Sequence, residues 1–320
     1  MRSLRSTALT VMFVVLIGCS GSQAPMGAPG AMPVTSATVE RAVPGRSWML
    51  PEAASEDLLY AGSRYTDSVY VFNYANGKLV GTLTGIRRPQ DLCSDKNGNV
   101  WVTEDTRGSY QAGQIEEYAH GHVRPLVRLK DERAPLDCSV DPKTGDLAVA
   151  NADGTEPDDH RLAVYTRGKG VPRYYKTMDV RPMACSYDNL GNLYVTGGVD
   201  VYKAGIVWLE KGADRLAKFP LHPFIYPHYG VQWDGKELAI AQRYFILYRY
   251  VIQNHEGVYP KEIELDRASM ERFWIQGSTL IASNTDGKIR LWRYPAGGHL
   301  QRRIAPPANV YGVTVSLAPH

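Results

Sequence analysis

The chain has 320 residues, a length that predicts either two domains or one large all-β domain. Its 30 glycines, 20 prolines and 20 tyrosines favour strands joined by turns over a helical bundle. Lys and Arg total 36 against 33 Asp and Glu, and this balance argues against a nucleic-acid-binding protein, which needs a basic face to displace counterions.

The first 18 residues resemble a secretory signal peptide. Residues 1–6 carry two arginines, and residues 7–18 form an almost unbroken apolar run. This run is too short to span a bilayer, for which about 20 residues are needed. The tetrad Leu16-Ile17-Gly18-Cys19 resembles a bacterial lipobox, in which the peptide is cut before the cysteine and the thiol takes a diacylglycerol. We therefore expect residues 1–18 to be a lipoprotein signal peptide and Cys19 to be lipidated.

Residues 19–54 are rich in Ser, Gly, Ala and Pro and have no periodic apolar pattern, which predicts a disordered tether after the lipidated cysteine. A coil of this length reaches roughly 30–35 Å. Ser20 resembles the residue type that permits outer-membrane sorting of Gram-negative lipoproteins. We therefore expect a protein of the bacterial cell envelope that contacts the membrane through its lipid anchor only, in the outer membrane if the organism is Gram-negative.

A repeat with a period in the forties fills the rest of the chain. Three copies of a segment that starts with Pro and ends with Asp occupy residues 89–95, 135–141 and 182–188, and each leads into a turn and an apolar run. A fourth copy begins at Gly230, and a weaker fifth begins at Phe273. The aspartates of the first four copies are spaced by 46, 47 and 46 residues. Short strands at this period predict four-stranded propeller blades.

The ends of the chain predict how the ring closes. The repeats provide six second and third strands but only five first strands in order. Residues 311–316 match the first strand of the fourth copy, and no second strand follows them. We therefore predict an all-β, six-bladed β-propeller over residues 55–320. Its first blade is completed by the C-terminal strand, because this closure removes exposed strand edges.

The repeated copies resemble the blades of NHL-repeat six-bladed propellers over residues 57–317. The resemblance implies the fold and leaves the activity open. The superfamily includes lyases, lactonases, peroxidase-like proteins and purely adhesive members, and some bacterial members are lipid-anchored.

Ligands of propellers gather at the channel mouth, which is formed by the loops before each first strand and after each second strand. Two residues into each first strand, charged residues alternate with very small ones, which suits a narrow, wet passage: Asp91, Asp137, Ala184, Gly230, Arg272 and Gly312. The predicted ligand-binding residues at the mouth are Arg64, Arg88, Asp91, Glu104, Arg133, Asp137, Arg181, His228, Arg243 and Arg272.

Two interpretations of these charges are open. Arginines above two carboxylates can hold an anionic ligand, and Asp91 with Asp137 can hold a Ca²⁺ ion deeper in the channel. Alternatively, the arginines and carboxylates neutralise each other and bind nothing. We favour neutralisation, and we predict no bound metal or other cofactor, because Ca²⁺ takes six or more oxygens.

The sequence has no recognisable catalytic constellation. His228 is the one histidine that maps to the mouth, and no nucleophile-elbow, metalloprotease, phosphate-loop or dinucleotide motif occurs. We therefore predict no catalytic residues and a monomeric, non-enzymatic module that binds a protein or small ligand at the envelope. The alternative is a propeller-type lyase or hydrolase with its site at the channel mouth.

Lipidation of Cys19 leaves three cysteines. Cys138 and Cys185 share a register in the repeat and point the same way, whereas Cys93 is one residue out of register. Cys93 and Cys138 are thus the one pair that can meet across a blade interface. Packed sheets are about 10 Å apart and a disulfide needs Cα atoms within about 7 Å, so we expect free, buried thiols.

Overall fold

The computed structural model describes residues 45–105, 112–151, 160–177, 180–199, 204–242, 246–266 and 270–319, without the side chains of residues 227–229 and 271. Cys19, the signal peptide and Arg243 lie outside the described residues, as does the His228 side chain. The described chain forms six antiparallel sheets of four main strands arranged as the blades of a propeller ring, which confirms the predicted fold class. No helix in this part of the chain is long and apolar enough to cross a membrane.

Each blade runs from an inner first strand to an outer fourth strand. Blade 1 contains β2 (Leu58–Ser63), β3 (Ser68–Asn73) and β4 (Leu79–Thr84), with the short β1 (Trp48–Met49) at its outer edge. Blade 2 contains β5 (Pro89–Ser94), β6 (Val100–Glu104), β7 (Gly113–Tyr118) and β8 (Pro125–Asp131). Blade 3 contains β9 (Pro135–Val140), β10 (Leu147–Asn151), β11 (Arg161–Tyr165) and β12 (Arg173–Lys176). Blade 4 contains β13 (Arg181–Tyr187), β14 (Leu193–Gly198), β15 (Ala204–Leu209) and β16 (Ala217–Lys218). Blade 5 contains β18 (Pro227–Trp233), β19 (Leu238–Gln242), β20 (Ile246–Gln253) and β21 (Glu256–Glu264), with the short β17 (Leu221–His222) parallel to β21 at its outer edge. Blade 6 contains β22 (Met270–Gln276), β23 (Thr279–Asn284), β24 (Ile289–Arg293) and β25 (Leu300–Ile304). Short 3₁₀ turns occupy Pro51–Ala54 and Thr166–Gly168.

The C-terminal strand β26 (Val313–Ser316) supplies the inner strand of blade 1, as the sequence predicted. It pairs antiparallel with β2. Two further hydrogen bonds extend the pairing, from the Tyr311 N–H to the Gly62 carbonyl at 2.8 Å and from the Gly62 N–H to the Gly312 carbonyl at 3.0 Å. The two ends of the propeller are therefore held in one sheet.

The folded domain begins earlier than the predicted boundary at residue 55. The two residues of β1 pair with β4, and the Leu50 N–H donates to the Val80 carbonyl at 2.8 Å. Ala53 is fully buried in the core of blade 1. Residues 48–54 were predicted to belong to the tether because a two-residue strand and a 3₁₀ turn are too short to show an apolar period.

The repeated aspartate has a structural role in the turn after each inner strand. Asp95 Oδ1 accepts the N–H groups of Asn97 and Asn99 at 2.8 and 2.9 Å. Asp141, Asp188 and Asp234 accept backbone N–H groups in the same way. A side chain that accepts from its own turn fixes the reversal of the chain, so the motif specifies the hairpin between the first and second strands.

Six apolar clusters fill the interfaces between neighbouring blades. The positions two residues into each inner strand, which we call axial positions, are each followed by a residue that packs on a neighbouring blade. Leu92, Cys138, Cys185, Val231, Phe273 and Val313 all lie in or against these clusters.

Side chains one residue further along hold neighbouring inner strands together near the axis. Ser139 Oγ accepts the Tyr187 N–H at 3.0 Å, and Ser186 Oγ accepts the Trp233 N–H at 2.9 Å. The same position of blade 5 is Gln232, whose amide oxygen accepts the backbone N–H of blade 6 at 2.6 Å. We call these contacts the axial clasps.

In blade 2 the clasp position is Cys93, and it forms a disulfide with Cys138. The expectation of free thiols is therefore wrong for this pair. The two Cα atoms are 5.7 Å apart, because inner strands converge towards the axis and approach more closely than sheets packed face to face. Cys185 is a free and buried thiol, as expected.

We expect the disulfide to stabilise the ring by linking blades 2 and 3. Replacing both cysteines in a Cys93→Ser, Cys138→Ser variant should lower the free energy of unfolding by about 2–4 kcal/mol, as measured by urea denaturation. A reductant should destabilise the wild type by a similar amount and leave the double variant unchanged. Equal stability of the wild type with and without reductant would contradict the proposed link.

Candidate functional site

The predicted axial residues meet at the centre of the ring. Asp91, Asp137, Ala184, Gly230 and Arg272 line one cavity of about 200 Å³. The small residues leave space for their neighbours. A Cβ atom at Gly312 would lie 2.5 Å from Asp91 Oδ1, and one at Gly230 would lie 2.4 Å from the Phe273 ring. The alternation of charged and small residues therefore reflects close packing around three charged side chains.

Arg272 and Asp91 form a buried ion pair, with Nε 3.0 Å from Oδ2. Arg272 is 2% exposed and Asp91 is 5% exposed. The other oxygen of Asp91 accepts its neighbour's backbone, the Leu92 N–H at 2.8 Å. Thr103 fixes the Asp91 backbone, because its hydroxyl accepts the Asp91 N–H at 3.0 Å and donates to the Asp91 carbonyl at 3.1 Å.

Asp137 completes the cluster from blade 3. Its Oδ2 accepts the Cys185 N–H of blade 4 at 2.7 Å, and its carboxyl is hydrogen-bonded to that of Asp91. We call the arrangement of Asp91, Asp137 and Arg272 the axial cluster. Its side chains come from blades 2, 3 and 6, and blade 4 contributes the Cys185 N–H. A cluster assembled from four blades depends on the closed ring.

Burial raises the pKa of Asp91 well above its usual range, and the neighbouring charge of Asp137 adds to this effect while Arg272 opposes it. Burial also raises the pKa of Asp137, against the opposing effects of Arg272 and of the Cys185 N–H. Two carboxyl groups this close beside one guanidinium share one proton between them. The axial cluster then contains one guanidinium, one carboxylate and one neutral acid, so its charges cancel.

The sequence left open a Ca²⁺ ion between Asp91 and Asp137. In the structure, the positive charge beside Asp91 is the Arg272 guanidinium. Across the described ranges, no group of three or more His, Cys, Asp or Glu side chains is placed to hold a metal ion. The ion pair between Arg272 and Asp91 is a contact that the neutralisation interpretation expects at this level of the channel.

The cavity extends from the axial cluster towards the turns that follow the inner strands. Its walls include Tyr187, Trp233 and Trp274, and it reaches Asn189 and Gly235. This is the end opposite to the predicted mouth, which lies where the inner strands begin. The indole N–H of Trp233 is buried and has no hydrogen-bond partner among the described residues.

The predicted mouth arginines are distributed over several contacts. Arg64 lies over the Tyr311 ring, with its Cζ 3.4 Å from the centroid, and the Arg272 Cζ lies 5.5 Å from the same centroid. Arg88 pairs with the buried Asp105 at 3.6 Å. Arg133 precedes β9, where its N–H donates to Asp131, and Arg181 begins β13. The structure thus brings Arg64 and Arg272 to one ring.

Glu104 belongs to a different pocket, on blade 2. Successive strand residues point to opposite faces, so Thr103 contacts Asp91 while Glu104 points away from the axis. Glu104 accepts the Arg87 N–H at 2.9 Å and lines this second pocket with Glu116 and Arg128. Burial, together with the charge of Glu116, raises the pKa of Glu104 to about 8.

Comparisons with known proteins agree with the fold. No family model matches the chain, and no curated protein sequence matches it. A functionally unknown protein from Desulfotomaculum acetoxidans has a TM-score of 0.56 and 10% identity, covering 82% of this chain and 99% of that chain. Kuenenia stuttgartiensis hydrazine synthase has a TM-score of 0.56 and 12% identity, covering 91% of this chain and 100% of that chain. At these identities the likeness shows the fold alone.

The raised pKa of Glu104 predicts a pH dependence of stability. The folded state holds this proton up to about pH 8 while the unfolded chain loses it near 4.5, so stability should fall as pH rises between these values. Glu104→Gln keeps the acceptor for Arg87 and should remove this slope, which amounts to about 1.4 kcal/mol per pH unit at most. Urea denaturation at pH 5, 7 and 9 measures it. Parallel plots of unfolding free energy against pH for the wild type and Glu104→Gln would contradict the raised pKa of Glu104. Glu132→Gln, at an exposed position, is the control and should keep the wild-type slope.

Proposed function

We propose that the protein is a lipid-anchored, non-enzymatic binding module of the bacterial cell envelope, of the NHL-repeat type, that holds a small ligand in its axial cavity. The observation that carries the proposal is the axial cluster, a buried set of polar groups at the end of a cavity. The leader with its lipobox-like tetrad and the tether support the anchor.

The contacts within the axial cluster favour binding over catalysis. Both oxygens of Asp91 are engaged, by Arg272 and by the Leu92 N–H, and Asp137 accepts from the Cys185 N–H. A general base needs an oxygen within hydrogen-bond reach of the substrate proton. These carboxyl groups are instead fixed by their neighbours and form a rigid, neutral floor for the cavity.

The walls above this floor suit a small polar ligand, because the lining exposes more polar than apolar surface. The aromatic side chains of Tyr187, Trp233, Phe273 and Trp274 contribute to this lining. The Trp233 indole N–H is a buried donor without a partner in the described chain. A volume of about 200 Å³ limits the ligand to a molecule smaller than a typical drug.

A second candidate function is acid–base catalysis by the same cluster. It is favoured by the raised pKa values of Asp91 and Asp137 beside a cavity, since carboxyl pairs with shifted pKa values serve as acids and bases in enzymes. The propeller-type lyases and hydrolases of the resembled superfamily fit this alternative.

The anchor is tested by replacing the lipidated residue. Cys19→Ser, expressed in a bacterium that processes lipoproteins, should move from the detergent phase to the aqueous phase on phase separation, because it lacks the acyl chains. Its melting temperature should match that of the wild type, which shows that the propeller stays folded. A variant that remains in the detergent phase would exclude Cys19 as the anchor.

The cavity is tested with a panel of monosaccharides, small amines and small neutral alcohols in thermal-shift assays. A compound that raises the melting temperature of the wild type should have less effect on Ala184→Val, which narrows the cavity, and on Trp233→Phe, which removes the indole donor. Ala75→Val, in an exposed turn, is the control and should respond like the wild type.

Two outcomes of this assay decide against the proposed function. A panel without any shift, or shifts that are the same in all variants, contradicts ligand binding in the cavity. Conversion of a bound compound into a product, detected by mass spectrometry and lost in Asp137→Asn, would establish the enzymatic alternative.

A further inference from the structure

Two guanidinium groups lie against one tyrosine ring at the predicted mouth, the end of the channel opposite to the cavity. Arg64 follows β2 and stacks on Tyr311 with its Cζ 3.4 Å from the ring centroid. Arg272 approaches the same ring at 5.5 Å. Arg64 and Tyr311 are both partly exposed, so solutes can reach this pair.

In the part of the chain that the structure describes, the Arg64 guanidinium has no carboxylate partner. Its buried Nε also has no hydrogen-bond partner there. A guanidinium presents five N–H donors, and a buried donor without an acceptor is costly. The contact with the Tyr311 ring stabilises the charge without satisfying the N–H groups.

The residue before Arg64 has a second unsatisfied polar group. Ser63 is fully buried, and its hydroxyl has no partner among the described residues. It lies beside the backbone of Tyr311, because the Tyr311 N–H donates to the carbonyl of Gly62. Buried hydroxyls in proteins are normally hydrogen-bonded, so Ser63 is a second unsatisfied polar group next to Arg64 in the sequence.

Among the described residues, the charged groups around the Tyr311 ring leave one positive charge without a carboxylate. Arg272 is balanced within the axial cluster, where Asp91 and Asp137 share one proton. Arg64 adds a second positive charge at the same ring and brings no carboxylate with it. One negative charge would restore the balance. A carboxylate provides one, whereas a phosphate monoester provides nearly two.

We propose that Arg64, stacked on Tyr311, binds the carboxylate group of a small molecule at the mouth of the channel. The planar guanidinium fork matches the two oxygens of a carboxylate in a bidentate pair. The axial cluster lies between this site and the cavity. Binding at this site can therefore be tested independently of the ligand in the proposed function.

The experiment titrates the full chain with sodium acetate and sodium benzoate at constant ionic strength, with sodium chloride as the replaced salt. Binding is followed by isothermal calorimetry and by the melting temperature. The wild type should show saturable binding of the carboxylates. Arg64→Gln should weaken it at least about tenfold, and Arg64→Lys, which keeps the charge but loses the fork, should weaken it less. Arg173→Gln, which removes an arginine stacked on Tyr175 in the outer strand β12, is the matched control and should bind like the wild type.

Four outcomes overturn the proposal. Absence of saturable binding to the wild type, or equal binding by Arg64→Gln when circular dichroism shows it folded, excludes Arg64 as the site. Tighter binding of inorganic phosphate than of acetate excludes the carboxylate assignment. Loss of acetate binding in Ala184→Val or Trp233→Phe would place the ligand in the cavity instead, whereas unchanged binding in these two variants separates this site from the proposed function.

Discussion

The pairing of β26 with β2 joins residues 313–316 to residues 58–61 and closes the ring. Each blade buries its faces against two neighbours, so an open ring would expose the apolar faces of blades 1 and 6 and the edge of β2. Closure also determines which residues meet at the axis of the ring. Gly312 fits against Asp91, and Tyr311 lies where the guanidinium groups of Arg64 and Arg272 meet. The C-terminal segment therefore holds the fold together and forms part of the site.

Around the axis, covalent and hydrogen-bonded links hold the inner strands at fixed spacing. The Cys93–Cys138 disulfide joins blades 2 and 3, and hydrogen bonds from Ser139, Ser186 and Gln232 serve the next three interfaces. A buried ion pair is costly unless its geometry is fixed and its remaining hydrogen bonds are satisfied. The axial clasps serve the first part of this requirement, because they hold the strands that carry Asp137 and Arg272 in place. The contacts that align the blades thus also fix the geometry of the buried charges.

Much of the fold could be predicted from the sequence because a propeller repeats one local unit. The spacing of Asp95, Asp141, Asp188 and Asp234 reflects a turn that each blade builds in the same way. The axial positions could be predicted for the same reason, since register along an inner strand decides which residue faces the axis. Contacts that depend on distances between blades could not be predicted. The disulfide was missed because spacing between stacked sheets does not apply to strands that converge.

Other parts of the site followed no repeated pattern. The mouth was predicted from loop positions, but strand alternation turns Glu104 into the pocket of blade 2. The cavity on the opposite side was missed because Tyr187, Trp233 and Trp274 are ordinary strand residues until their blades are placed around one axis. The stacking of Arg64 on Tyr311 joins residues from the two ends of the domain, so it follows from closure and not from either segment alone.

The central claim is that β26 closes the ring, and a thermal melt of two truncated chains tests it most directly. Deletion of residues 311–320 removes β26, whose Val313 and Val315 are each 1% exposed and contribute about 1.5–3 kcal/mol apiece. Deletion of residues 319–320 leaves β26 intact and is the control. The account predicts that the control melts like the full chain, while the longer deletion melts at least about 10 °C lower or without a cooperative transition. An unchanged, cooperative melt of the longer deletion would contradict the closure of the ring by β26.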